Sequence, residues 1–463
     1  MLEPSLVRDV LDAALATGGD FAELFMEDRR DTSLILQLNR LETVNSGRIH
    51  GAGVRVYVGL NAIYAYTNDT SREGLIACAR QAASAVRERG RELAACAELT
   101  LSPVGDAHPV KLLPSRTDTR RKADILRAAN AAAREAGEEI VQVVCTYRDS
   151  EQDVLIANSE GRFVTDRRVY TRLGCQAVAG NGTENQSGFE GPGALMGFEL
   201  FESRVDPARV GREAARTAIE MLHAPVCPSG VMPVAIGNGF GGVIFHEACG
   251  HGLEATSVAF GTSVFCGKLG EQIASPCVTA VDDGTLPNEW GSENVDDEGT
   301  PTTKLVLIEN GVLKNYMIDR LNGRRMSMPP TGSARRESYA YAPTSRMRNT
   351  YIAAGSDDEK EIISSMGDGL YAARMGGGSV DPATGEFNFA VQEGYLVKGG
   401  KITTPVRGAS LIGKGADILM KIDRVGRDMR MAQGMCGSLS GSVPTNVGQP
   451  MIRVSSITVG GRA

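Results

Sequence analysis

The feature that most narrows what this chain can fold into is its punctuation by glycine and asparagine. Glycine supplies 55 of 463 residues, while aromatic residues make up only 5% and include a single tryptophan, Trp290. Short β-branched or aromatic runs alternate with Gly, Asn and Pro, which favours strands joined by turns over a helical bundle. In KLVLIENGVLKNYMID (304–319), Asn310-Gly311 separates two apolar runs. That dipeptide suits the tight hairpin turn that needs positive φ at both central residues. GYLVKGGKITTPV (394–406) repeats the idea with Gly399-Gly400.

Helical periodicity is confined mainly to the first half. Residues 4–18 place Leu6, Val7, Val10, Leu11 and Leu15 on one stripe. Further helices are predicted over 72–88, over 117–137 with a glycine cap at its end, and over 206–222. Strands are predicted at 22–29, 32–39, 53–59, 61–67, 140–149, 153–161 and 163–180. HAPVCPSGVMP (223–233) carries three prolines and a glycine and ends the helical pattern. The expectation is an α+β chain of two domains: an N-terminal mixed α/β domain with an antiparallel sheet, 1–222, and a β-rich C-terminal domain, 223–463. The second half reads as antiparallel hairpins, apart from one helix beginning near Gly239. Two long irregular stretches stand out, an acidic one at 281–301 and a locally basic one at 324–349. Each is either a functional loop or a solvated surface excursion. Arg335, Arg336, Tyr339 and Tyr341 are candidates for substrate contact there.

A net charge of -7 without a basic block argues against nucleic-acid binding. No window approaches ~18 uninterrupted apolar residues, so no transmembrane helix is expected. The first 20 residues carry Glu3, Asp9 and Asp12 and lack the apolar core of a secretory signal. The nine cysteines are odd in number, scattered, and form no CxxC pair, which fits free thiols in a reducing cytoplasm.

Against this background, FHEACGHGLEA (245–255) is unusual, because it holds two of only five histidines. Neutral imidazole is a good zinc ligand, and a glutamate beside it can act as general base. The familiar zinc-protease spacing sets histidines four apart on a helix. His246 and His251 are five apart, which on an ideal helix separates them by about 140°. The pair converges if one extra residue enters the turn as a π-bulge, or if the helix breaks at Gly250. The alternative is two packed or solvated histidines. Glu247 is the candidate base. By chemistry, Glu254, Asp282, Asp283, Asp423, Asp428 and the remaining cysteines could each supply a third ligand, Cys436 among them. Cys249 lies within the motif but should point away from both rings. GNGFGG (237–242) matches a dinucleotide-binding glycine pattern after a strand, yet no acidic residue stands about 20 positions on to hold a ribose. A simpler use of those glycines is tight packing at a helix start.

HEACGHGLEA, then DDGT, VDDEGTP, LIENGVLKNYMID, PTSRMRNTYI and VGQPMIRVSSITVGG follow one another in an order that resembles the TldD/PmbA family, in its metal-bearing TldD branch. The resemblance implies a zinc metalloprotease that hydrolyses peptide bonds in small or unfolded peptides through a zinc-activated water. It implies His246, His251 and Cys436 as ligands of Zn2+ and Glu247 as general base. It also implies a dimer, with itself or with a metal-free PmbA/TldE-like subunit, and peptide bound in extended form. The competing functions are a non-catalytic, metal-stabilised peptide-binding subunit and a dinucleotide enzyme built on GNGFGG.

Overall fold

The computed structural model describes residues 2–86, 94–381 and 384–461. The first half is organised by an eight-stranded sheet. Four antiparallel strands dominate it: Phe21–Gln37, Arg40–Val58, Ile140–Asn158 and Arg162–Gly180. Three of them have 19 residues, so each spans roughly 60 Å at ~3.3 Å per residue. Strands of that length cross two separate cores. At one end Leu24, Val54, Val56 and Leu155 pack with Val7, Val10 and Leu11 of the helix Pro4–Leu15 and Leu75 of the helix Arg72–Ser84. At the other end Leu34, Val143, Tyr147 and Leu173 pack with Leu126 of the helix Thr119–Arg134 and Val210 of the helix Pro207–His223. Three of these helices start at residues suited to capping. Ser71, Asp118 and Asp206 accept from the backbone N–H of Gly74, Arg120 and Ala208 respectively.

The strands expected separately at 22–29 and 32–39 are one strand, as are those at 140–149 and 153–161. The expected breaks at 30–31 and 150–152 instead pair with each other across the sheet, and the polar residues around them are where the second half docks. Glu27 is fully buried. Its carboxylate accepts from Gln152 Nε2 at 2.6 Å and from the backbone N–H of Tyr339 at 2.7 Å. Arg29 donates to the Glu337 carbonyl at 2.8 Å. The helix Thr119–Arg134 closes in right-handed geometry at Glu135 and does not use Gly137 as its cap. Residues 87–88 of the helix expected over 72–88 lie outside the described residues.

The second half holds a six-stranded and a seven-stranded sheet. Both expected turns form, with positive φ at Asn310 and Gly311 and at Gly399 and Gly400. The pattern is not purely antiparallel, because Asn349–Ile352 runs parallel to Gly441–Gln449, and Gly230–Ile236 to Gly369–Val380. The helical segment over 239–253, which ends where Glu254 becomes extended, is mostly buried for a clear reason. Val243, Ile244, Phe245 and Leu253 share one core with Leu307 and Ile352 of the first sheet and Val234, Leu370 and Phe389 of the second.

The two long irregular stretches are interior, not solvated. Asp296, Asp297 and Glu298 are at most 1% exposed, and Arg335, Arg336, Arg346 and Arg348 are buried with them. Arg335 pairs with Glu293 at 3.0 Å, Arg348 with Asp282 at 2.8 Å, and Arg336 with Glu23 at 2.9 Å. Arg55 joins Glu23 at 2.8 Å to Glu298 at 2.5 Å, and Arg168 reaches Asp297 at 2.7 Å. Opposite charges carried by the loops and by the long strands therefore neutralise one another where the halves meet. Arg335 and Arg336 are committed to this network.

Candidate metal centre

The residues between His246 and Gly250 form a single π turn, in which the N–H of His251 reaches the carbonyl of His246, five residues back. That extra residue brings the two rings onto one side, with centroids 5.2 Å apart. The helix stays continuous through Gly250, whose φ is -56°. Gly250 is needed for space: a Cβ there would lie 2.2 Å from Sδ of buried Met347.

Cys436 arrives from the opposite side, on the strand Arg430–Ser438, which pairs with Gly441–Gln449 through a turn at Gly441. Its Sγ lies 3.3 Å from His246 Nε2 and 3.4 Å from His251 Nε2. The three donor atoms fall within 4.8 Å of one another. Ligands at the usual zinc distances on a tetrahedron stand about 3.6 Å apart for a nitrogen and a sulfur, so the donor set and its spacing suit zinc. Burial pushes the Cys436 thiol up, but the two imidazoles beside it outweigh that and bring its pKa down to about 4. A thiolate is the form that binds metal. Burial alone acts on Cys249, whose pKa is pushed far up, and its side chain points into the apolar core.

His251 Nδ1 donates to Glu254 Oε2 at 3.1 Å, which turns Nε2 toward Cys436. Burial disfavours charge on His251, but Glu254 and Cys436 more than offset it and raise its pKa well above the usual value. The pocket is thus arranged for a cation. Glu254 Oε1 is itself 4.0 Å from Arg346 Nε. Arg346 is fully buried and donates to the Cys436 carbonyl, to Ser440 Oγ at 3.0 Å and to the Gly441 carbonyl at 2.8 Å. It holds the cysteine's hairpin in place. Glu247 Oε2 sits 3.6 Å from His251 Nε2, and its side chain is 31% exposed, so a carboxylate stands beside the cluster with access to solvent.

His246, Glu247, His251 and Cys436 are therefore brought together. The other third-ligand candidates are placed elsewhere: Asp282 on Arg348, Asp283 on Thr285, Asp423 on Arg453 and Asp428 on Arg430. Glu254 instead hydrogen-bonds His251 Nδ1 and stands behind the three-residue cluster. Sequence reading missed that role and the role of Arg346. The three-residue step from His251 to Glu254 was a usable signal for the first. The glycines of GNGFGG serve packing. A Cβ at Gly241 would meet Gln449 at 2.5 Å, and one at Gly242 would meet the backbone of Gly448 at 2.6 Å. The space a pyrophosphate would need is filled by that strand.

The sequence matches three consecutive PmbA/TldA metallopeptidase regions: domain 1 over residues 22–86, the central domain over 113–222 and the C-terminal domain over 229–461. It is 36% identical over 470 residues to the metalloprotease TldD homolog of Haemophilus influenzae, covering 99% of this chain and 97% of that one. The TldD homolog of Buchnera aphidicola (Acyrthosiphon pisum) is 34% identical over 452 residues, covering 96% and 93%. Two solved structures share the fold. One is a Thermotoga maritima protein described as a candidate modulator of a DNA gyrase, with TM-score 0.81, 22% identity and coverage of 98% and 99%. The other is TldE from Thermococcus kodakarensis, with TM-score 0.78, 17% identity and coverage of 98% and 100%. Full-length similarity at this level, with all three regions matched in order, places the chain in the PmbA/TldD family of metallopeptidases.

Proposed function

We propose that this protein is a zinc-dependent peptidase acting on small or unfolded peptides. The observation that carries the reading is the convergence of His246, His251 and Cys436, with Glu247 beside them. Three protein ligands are the complement of a catalytic zinc site, which leaves one position for water or substrate; a closed structural site takes four. When bound, zinc supplies Lewis acidity, lowering the pKa of water and polarising a carbonyl. Glu247 takes the proton of the attacking water on a carboxylate oxygen and returns it to the departing amine nitrogen. Glu254 keeps His251 in the tautomer that presents Nε2. Arg346 and the π turn hold the two halves of the site in register.

An extended, unfolded substrate suits the surroundings. Arg430–Ser438 ends its sheet, being paired on one side among the described residues, and a peptide can add to such an edge through main-chain hydrogen bonds. We infer a division at the proline-rich segment 223–233, into 1–222 and 223–463. It is supported by the strand pairing, which keeps the eight-stranded sheet within residues 21–194 and builds the other sheets from residue 230 onward. We also infer a dimer, either of this chain or with a metal-free TldE-like subunit. The shared fold of a TldE chain supports the second arrangement. Among the described residues no helix is long and apolar enough to cross a membrane. The described cysteines are all free thiols, which supports a cytoplasmic location.

The test is zinc content and hydrolysis of an unstructured peptide, measured on one preparation. About one zinc per chain is expected, with hydrolysis that Glu247→Ala abolishes while the zinc stays. If zinc is present without hydrolysis, adding a TldE-like subunit should restore turnover; continued inactivity would favour a non-catalytic peptide-binding role. Failure to take up zinc on reconstitution would overturn the reading.

A further inference from the structure

A cavity of about 450 Å3 lies between the long N-terminal sheet and the loops of the second half. Its floor is the sheet face that carries Ser33, Arg148, Ser150, Arg168, Tyr170 and Arg172, and its roof includes Trp290 and Met435. Six arginines line it. Four of these have carboxylate partners: Arg29 with Asp31, Arg168 with Asp297, Arg335 with Glu293 and Arg336 with Glu23. Arg148 and Arg172 have none among the described residues.

Those two residues are direct cross-strand neighbours on Ile140–Asn158 and Arg162–Gly180. Like charges placed opposite one another destabilise a sheet, and here no acid separates them. Arg172 is largely committed to backbone and aromatic contacts. It donates to the Gly191 carbonyl and the Gln433 carbonyl, each at 3.0 Å, and lies 5.4 Å from the centre of the Trp290 ring. Burial, with Arg148 next to it, pushes its pKa down to about 10. Arg148 is exposed and has no hydrogen bond or ion pair among the described residues, so its guanidinium is free at the cavity mouth. The position of the pair relates it to the metal centre. Gln433 precedes Cys436 by three residues on one strand, a distance of roughly 10 Å. Arg172 also lines a larger groove of about 1540 Å3 along that same strand.

We propose that Arg148 and Arg172 form a carboxylate-binding subsite that selects peptides presenting a free carboxylate about three residues from the point of cleavage. This deepens the peptidase reading and rests on it for the word cleavage; the carboxylate site itself does not. The Arg148 guanidinium offers the planar fork that matches a carboxylate's two oxygens, and Arg172, with Nε and Nη2 on carbonyls, adds its remaining Nη1 and its charge on the same sheet face. Inward-facing Trp290 and Tyr170 form an aromatic pair beside it, 5.3 Å between centroids, which limits competing hydration. The carboxylate can be a peptide's C-terminus or the side chain of Asp or Glu.

The experiment is anisotropy of an N-terminally labelled, unstructured peptide on the full chain carrying Glu247→Gln, which prevents turnover. Free-acid and C-terminal-amide forms are compared, and each is made with Glu or Gln at an internal position. One carboxylate-bearing form should bind about 10-fold tighter than its neutral counterpart. The pair that differs identifies whether the terminus or the side chain is held. Arg148→Gln should erase that preference without lowering the unfolding temperature, since Arg148 is exposed, makes no contact the fold needs and stands opposite a like charge. Equal binding of acid and neutral forms, binding of neither, or a preference that survives Arg148→Gln would each overturn the proposal. The readout is separate from hydrolysis. A chain that never cleaves but keeps the preference would sink the peptidase reading and leave the subsite standing.

Discussion

Glu254 accepts a hydrogen bond from Nδ1 of His251 at 3.1 Å, so a residue three positions along the chain decides which ring nitrogen faces Cys436. Partners of this kind fix the tautomer and orientation of a ligating histidine, and losing one typically costs 10–100-fold in metal affinity. Glu254→Ala is expected to weaken zinc binding by roughly that factor. Glu254→Gln, which can still accept through its amide oxygen, should cost less. Titration against a chelator of known affinity checks the order. Equal affinities for all three proteins would mean that Glu254 is only a buried acid.

Gly250 tests the π turn. Its backbone is ordinary helix, so alanine is conformationally acceptable, but the added methyl collides with Met347. Overpacking a filled core typically costs 1–3 kcal/mol. Gly250→Ala should lower stability by about 2 kcal/mol and, on the proposed function, reduce zinc retention, because the collision falls between His246 and His251. Met347→Ala in the same chain should recover part of both losses. Denaturant melts together with zinc content measure the two effects.

How much of this was legible in the sequence follows from the range of the interactions involved. The hairpin turns at Asn310-Gly311 and Gly399-Gly400 depend on φ values that two adjacent residues set alone, and both form as read. The five-residue histidine spacing demanded a distorted helix, and a π turn supplies it. Cys436 is 185 residues beyond His251, and spacing alone could not choose it over the aspartates; the ordered motifs of the family resemblance did. Two of the long strands were each split in two, at Arg30-Asp31 and at Ser150–Gln152, because such polar residues look like turns until their cross-strand partners are known; Arg30 pairs with Glu151 and Asp31 with Ser150. The arginines of 335–348 were ambiguous for the same reason. A charge's burial is set by what docks on it, and those partners are distant in sequence.

Arg336 illustrates that ambiguity and resolves it. It donates to Glu23 Oε1 and to the Asp297 carbonyl, each at 2.9 Å, and lies over the Phe25 ring at 4.1 Å. Removing one member of a buried ion pair strands the other and costs about 3–5 kcal/mol. Arg336→Ala is therefore expected to lower the unfolding free energy by that amount. Any activity retained below the melting transition should have an unchanged KM. A raised KM with intact stability would instead make Arg336 a substrate contact.

Glu393 predicts an acid limb in stability. It links the halves, with its carboxylate 2.9 Å from Arg216 and 3.1 Å from Arg374, and accepts from Tyr395 Oη at 2.7 Å. Burial pushes its carboxyl up, but Arg216, Tyr395 and Arg374 outweigh that and hold its pKa below the ordinary value of 4.5. The folded state thus binds this proton less readily than the unfolded chain does. The resulting stabilisation is present above pH 4.5 and is lost as pH falls through the lower, folded value. Glu393→Gln should cost about 1–3 kcal/mol near neutral pH, where the partners lose their counter-charge. The gap between wild type and variant should then narrow below about pH 4, as the wild-type carboxyl takes up its proton. Urea melts of both proteins from pH 3 to 7 measure the gap, and a gap that is constant across that range would exclude Glu393 as the source of the acid limb.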